Sequence, residues 1–303
     1  CNTVRNRASW RVSSFASECL DQEVVPKLAM GEWLAADCLT EPGAGSDAAS
    51  LRTKAIRDGD DDLITGSKVF ISGAGSTDIL VLMARTGAPD SGSKGISTFV
   101  IPADADGITY GKNEERMGWR SQPTRMISLE NVRVPASYRV GEEGDGFAIA
   151  MKGLDGGRLN IATCSLGGAQ AALLRARNYM HEREQFGKPL AAFQALQFKL
   201  ADMATNLVAA RQMVRLGAFK LDSGDTEATL HCAMAKRFAT DACFEIVNEA
   251  LQLHGGYGYI REYPIERYLR DLRVHQILEG TNEIMRLIVA RRLLEDGVAE
   301  AIQ

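Results

Sequence analysis

The chain has 303 residues, 45% hydrophobic and 24% charged, an ordinary globular composition that suffices for one large domain or two of middle size. Its net charge of −4 argues against a nucleic-acid-binding surface, and no run approaches the roughly 18 apolar residues that a membrane-spanning helix needs. Six cysteines lie far apart without a CxxC pair, and four histidines show neither i,i+4 pairing nor an HExxH motif. The reading is free thiols in a reducing compartment and no metal centre.

In chain order, residues 1–36 read as one helix plus a connector, with Pro26 breaking the pattern. From Asp37 to Pro135 the chain holds most of its turn residues and β-branched runs. Leu63-Ile64, a Thr65-Gly66 turn and Val69-Phe70-Ile71 read as a hairpin. Residues 79–83 and 96–101, and the alternation of Met126 and Ser128 against Ile127 and Leu129, read as further strands. Short strands at this spacing, with no crossover helix between them, predict a small barrel or sandwich rather than βαβ units. After Gly146 the period becomes helical. Leu196, Leu200, Met203, Leu207, Ala210, Val214 and Leu221 form one stripe. Leu230, Met234 and Phe238, continued by Phe244, Val247 and Leu251, form another. Ser223-Gly224-Asp225 joins the two as antiparallel helices, and Gly255-Gly256 ends the second as a C-cap would. Two or three more helices are expected within 147–181 and 264–297. The fold class is therefore α+β, a β-barrel or sandwich over 37–146 followed by a helical bundle over 147–303.

Three glycine-rich loops and one acid could carry chemistry. Gly43-Ala44-Gly45-Ser46-Asp47-Ala48 has the spacing of a dinucleotide fingerprint. It follows the polar, proline-broken Asp37–Pro42 instead of a buried strand, however, and no crossover helix follows it. Gln252–Tyr259 holds three glycines within four residues, more than a helix cap requires, so close backbone contact with a ligand competes with simple capping. Gly153–Arg158 puts glycines on a predicted helix, where they mark close approach of a ligand or of a neighbouring helix. Glu279 stands on a turn just before a helix that Thr281 or Asn282 can cap. In isolation it is more often a solvated loop acid than a residue facing a cavity.

Taken together, five segments resemble the acyl-CoA dehydrogenase family in order and spacing from about residue 37 to the end. They are Cys38-Leu-Thr-Glu-Pro-Gly-Ala-Gly-Ser-Asp47, Gly66-Ser-Lys-Val-Phe-Ile-Ser72, Arg183-Glu-Gln-Phe-Gly187, Gln252-Leu-His-Gly-Gly256 and Glu279-Gly-Thr-Asn-Glu283. The resemblance implies an N-terminal helical domain, a middle β-domain and a C-terminal helical bundle. On that plan residues 1–36 are the remnant of a largely missing first domain. Met117–Thr124, Gly156–Gly167 and Arg273–Glu279 look like the branch that converts isobutyryl-CoA to methacrylyl-CoA in valine catabolism.

The same resemblance implies non-covalent FAD. Leu39, Thr40, Phe70, Ile71 and Ser72 would meet the flavin, with Phe70 over the ring. Arg183, Phe193, Gln194, Gln252, Leu253, His254, Gly255 and Gly256 would hold the pyrophosphate and adenosine of a neighbouring subunit's cofactor, which implies a homotetramer. Thr281, Asn282 and Glu283 would present a helix N-terminus to pyrophosphate. Ser46, Asp155, Gly156, Gly157, Arg158 and Arg291 would contact acyl-CoA. Glu279 would be the catalytic base, with electrons passing to electron-transferring flavoprotein. The compartment would be the mitochondrial matrix in a eukaryote or the cytoplasm in a bacterium. Three competing expectations are another short- or branched-chain acyl-CoA dehydrogenase, a truncated inactive member that only oligomerises, and an oxidase passing electrons to oxygen.

Overall fold

The structure, a computed structural model, describes residues 2–295. Cys1 and the part of the last expected helix beyond residue 295 lie outside the described residues. The chain forms two compact units, one of residues 1–116 with 120–154, the other of residues 117–119 with 155–303.

The first unit opens with two helices where the sequence suggested one, α1 (Asn2–Phe15) and α2 (Glu18–Met30). Ser17 starts α2 by accepting the Leu20 N–H, and Gly31, left-handed at φ 79°, ends it. Pro26 lies inside α2 and does not break it. Leu20, Val24 and Leu28, at steps of four on both sides of the proline, are all buried, and that packing carries the helix through the one missing N–H.

Eight strands follow: β1 (Ala35–Cys38), β2 (Lys54–Asp58), β3 (Asp61–Ser72), β4 (Ile79–Arg85), β5 (Ile96–Pro102), β6 (Ile108–Tyr110), β7 (Thr124–Pro135) and β8 (Arg139–Val140). They form one mixed sheet in the order β6-β7-β3-β2-β4-β5-β8, with β1 parallel on β4. β4 is buried on both faces. Ile79, Val81 and Met83 pack with the helical residues Val12, Leu20 and Leu28, while Leu80, Leu82 and Ala84 share a core with Ile127, Leu129 and Val132 of β7. Strands far apart in the sheet order thus face one interior, and the sheet curls as a barrel does.

The expected turn at Thr65-Gly66 is not one. β3 is a single strand through both residues, and the hairpin reverses earlier, at Gly59-Asp60 between β2 and β3. Gly66 marks instead a break in register against β7. A Cβ there would lie 2.5 Å from Thr53 Oγ1, so glycine answers to close approach of two segments of the chain.

The second unit is helical: α3 (Gly146–Glu182, of which the part from Asp155 belongs here), a short ribbon β9 (Glu184–Gln185) with β10 (Lys188–Pro189), then α4 (Gln194–Asp222), α5 (Ala228–His254), α6 (Ile265–Arg273) and α7 (Asn282–Leu293). The stripe on α4 is buried at Met203, Leu207, Ala210 and Val214 as its spacing predicts. On α5 the expected Met234 and Phe238 are only half-buried. The buried seam is Cys232, Ala235, Ala239 and Cys243, small residues that let helices approach closely.

Candidate active site

In the first unit, the loop after β1 and the bulged end of β3 lie side by side. The Val69 N–H donates to the Thr40 carbonyl at 2.9 Å. Lys68, fully buried, donates to the Leu39 carbonyl at 3.1 Å and to Glu41 Oε1 at 2.8 Å. Glu41 also accepts the N–H groups of Arg52 and Thr53. Burial alone would raise the Glu41 carboxyl, but Lys68 and these N–H groups hold it below the usual carboxylate range. This buried pair fixes the backbone that carries Leu39 and Thr40. A second break in register between Lys68 and Ile71 brings Phe70 to φ 58° and leaves its ring 66% exposed, while Ile71 points into the core. Ser72 is half-buried at the strand end, and Ser46 is exposed on the loop where Gly43 and Gly45 leave open space.

The second unit brings together most of the remaining candidates. Glu279 sits at φ 58°, followed by Gly280 at φ 85°, so the acid stands on two consecutive left-handed residues. For a side chain as long as glutamate this costs about 1 kcal/mol, a cost that surrounding contacts must sustain. Those contacts are visible. Thr281 caps α7, its hydroxyl accepting the Ile284 N–H at 3.3 Å. The Lys236 ammonium, fully buried, donates to the Gly280 carbonyl and to Asn282 Oδ1, both at 2.8 Å. Asn282 is itself buried, its amide donating to Thr240 and Asp241. What it can offer a ligand is therefore backbone at the α7 N-terminus rather than its side chain.

Burial pushes Lys236 down to about 8, and Glu279 is the strongest charge pulling it back up. Arg158 also acts on Lys236. It is buried and ion-paired to Asp155 at 2.5 Å, and Thr229 donates to the other Asp155 oxygen at 2.6 Å. Gly156 opens to free space, so a ligand can approach there, whereas Gly157 is buried. Glu283 and Arg291 are exposed on α7.

His275 lies four residues before Glu279. Its Nε2 accepts the Trp119 indole N–H at 2.9 Å, so its proton is on Nδ1 and is donated to Ser165 Oγ at 2.7 Å. Burial, and then Lys236, push the imidazole down to about 4.

A cavity of about 810 Å³ opens elsewhere in the same unit, lined by Arg183, Lys199, Gln252, Gly255, Gly256 and Tyr257 among others. Gly255, at φ 58°, and Gly256 would each meet nothing with an added Cβ, which leaves their backbone open to a ligand. The Arg183 guanidinium lies over the Tyr257 ring at 5.6 Å. Leu253 and His254 also line the cavity, largely buried, with His254 stacked on Tyr179 at 4.5 Å. Gln194 is exposed beside it in sequence to Phe193, whose ring carries Lys188 at 4.3 Å.

Lys236, Thr229, Ser165, Trp119, Lys68 and Glu41 are the residues that sequence reasoning missed. A signal for Lys236 did exist: it falls four residues from both Cys232 and Thr240, on the buried side of α5.

The chain matches the family descriptions "Acyl-CoA dehydrogenase, middle domain" over residues 36–132 and "Acyl-CoA dehydrogenase, C-terminal domain" over residues 144–294. It is 51% identical to the mitochondrial isobutyryl-CoA dehydrogenase of Bos taurus and 50% identical to that of Dictyostelium discoideum, in each case over 97% of this chain and 70% of the relative. Among solved structures it is similar to butyryl-CoA dehydrogenase from Megasphaera elsdenii, with a TM-score of 0.92 at 41% identity over 95% of this chain and 75% of the other.

Proposed function

Because the chain belongs to the acyl-CoA dehydrogenase family, and with it to the FAD-dependent oxidoreductases that act on CH–CH donors, we propose that it oxidises isobutyryl-CoA with Glu279 as the base. The residues present fit the cofactor. The glycine-lined cavity with Arg183 on its wall suits a pyrophosphate and adenosine, and the partly exposed Thr40, Phe70 and Ser72 suit an isoalloxazine edge. Bound FAD supplies the hydride acceptor.

The α-proton of a thioester is a weak acid, so a carboxylate must take it while the carbonyl oxygen is held by hydrogen bonds. The base reading rests above all on Glu279 being kept in a left-handed conformation by a turn that the buried Lys236 and the Thr281 cap hold just beyond it. We assign it the α-proton of the substrate and assign its backbone N–H the thioester oxygen. As that proton moves to the carboxylate, hydride leaves Cβ and the Cα–Cβ bond becomes double. In the second unit Arg158, Asp155 and Arg291 would bind the CoA thioester; Ser46, in the first unit, is a further candidate for that ligand; and the N-terminus of α7 would suit the cofactor's pyrophosphate.

The finer points belong to the same proposal. Isobutyryl-CoA is favoured over other short acyl groups by likeness to two isobutyryl-CoA dehydrogenases, which would place the reaction in valine catabolism. Electron-transferring flavoprotein would take the electrons, and the assembly would be a tetramer in which Arg183 and Gln252–Gly256 serve a neighbour's cofactor. The functional division would be 1–36, 37–146 and 147–303, in the matrix of a eukaryote or the cytoplasm of a bacterium.

The test is anaerobic mixing of the flavin-loaded protein with isobutyryl-CoA. The parent should bleach, whereas Glu279→Gln should keep its flavin and bleach slower by about two to four orders of magnitude. Bleaching of that variant within tenfold of the parent would remove the assignment.

A further inference from the structure

Lys236 is a buried ammonium whose hydrogen bonds run to the turn that carries the acid and to the start of α7. Its Nζ donates to the Gly280 carbonyl, one residue beyond Glu279, and to the Asn282 side chain at the first turn of α7. Asn282 is in turn held by Thr240, one helical turn along α5 from Lys236, and by Asp241. Three residues of α5 thus grip a segment that holds two left-handed residues. A hydrophobic side chain of similar length would fill the space, so packing does not explain a lysine here.

We propose that Lys236 is a positioning residue for Glu279: its ammonium fixes the left-handed turn on which the carboxylate stands. The inference rests on Glu279 being the base.

The charges around Lys236 are consistent with that part. Glu279 and Glu283 come from the turn and α7, Asp241 from α5 itself, Arg158 from α3 and His275 from the turn after α6. Arg158 is already paired with Asp155, and His275 is held neutral by its two hydrogen-bond partners. Lys236 therefore spends its donors on the Gly280 carbonyl and the Asn282 side chain, the two groups that set the turn.

The experiment compares the flavin-loaded parent with Lys236→Met, Lys236→Arg and Glu279→Gln. In Lys236→Met, kcat should fall about ten- to a hundredfold with KM little changed, because the base is displaced while the substrate contacts remain. Lys236→Arg, which keeps a cationic donor for the turn, should recover part of the lost kcat. A readout free of turnover accompanies these. Burial holds Lys236 at about 8 in the fold against an ordinary 10.5, so the parent should gain stability as pH rises between those values, and Lys236→Met should not. An unchanged kcat in Lys236→Met beside an inert Glu279→Gln would overturn the role of Lys236 and leave the base in place. An active Glu279→Gln would overturn both. Failure of both Lys236 variants to fold would also overturn it, since the lysine would then be holding up the bundle rather than the turn.

Discussion

The indole N–H of Trp119 and Nε2 of His275 are 2.9 Å apart, with the two rings edge to face, and this contact fixes which nitrogen of a buried histidine carries its proton. The folded chain binds the neutral ring, pushed down to about 4 by burial and by Lys236, whereas the unfolded chain protonates it near 6.5. The stability it contributes is whole above pH 6.5 and is lost as the pH falls toward 4, in total about 3 kcal/mol. The urea midpoints of the parent and of His275→Gln should therefore draw together over that window. Parallel midpoint curves would contradict the neutral ring.

A second expectation concerns the buried pair in the first unit. Lys68→Met leaves Glu41 buried with only two backbone N–H partners, and should cost about 3 kcal/mol in chemical denaturation. Adding Glu41→Gln should recover part of that loss, because the uncompensated charge goes with it. A double variant worse than the sum of the two single ones would count against the pair as described.

Arg183→Ala should weaken cofactor retention about ten- to a hundredfold, the scale of a charge-assisted hydrogen bond to a phosphate. The ratio of flavin to protein absorbance after gel filtration measures it. Equal ratios in variant and parent would place the pyrophosphate elsewhere.

Gly66→Ala forces a methyl group to within 2.5 Å of Thr53 Oγ1 and 2.7 Å of its Cα. The strand must shift, at a cost of about 1–3 kcal/mol, read as a lowered unfolding midpoint. Gly156→Ala, where nothing lies within 4 Å, serves as the control and should be near neutral for stability.

The sequence carried the alternation of Ile127 and Leu129 and the stripe from Met203 to Val214 because large apolar residues recur there at the period of their element. It did not carry the seam of α5, where alanine and cysteine do the packing and the larger Met234 and Phe238 lie half outside it. Thr65-Gly66 misled for a related reason: a glycine required by a close neighbour is spelled the same as one required by a turn. The Glu279 turn was legible as a cap at Thr281. Its grip by Lys236 was not, since the spacing that puts Lys236 on the buried side of α5 says nothing of a turn 43 residues later.

The seam of α5 has a consequence for thiol chemistry. Cys232 and Cys243 are sealed in it with thiols pushed up to about 12 by burial, and Cys38 is likewise sealed within the first unit. Cys19 and Cys164 face outward. A maleimide should therefore label two of these five positions at once and the other three only when the chain opens. Because Cys38 belongs to one compact unit and the α5 pair to the other, the order in which the slow sites are captured would report which unit opens first, with no probe added to the sequence.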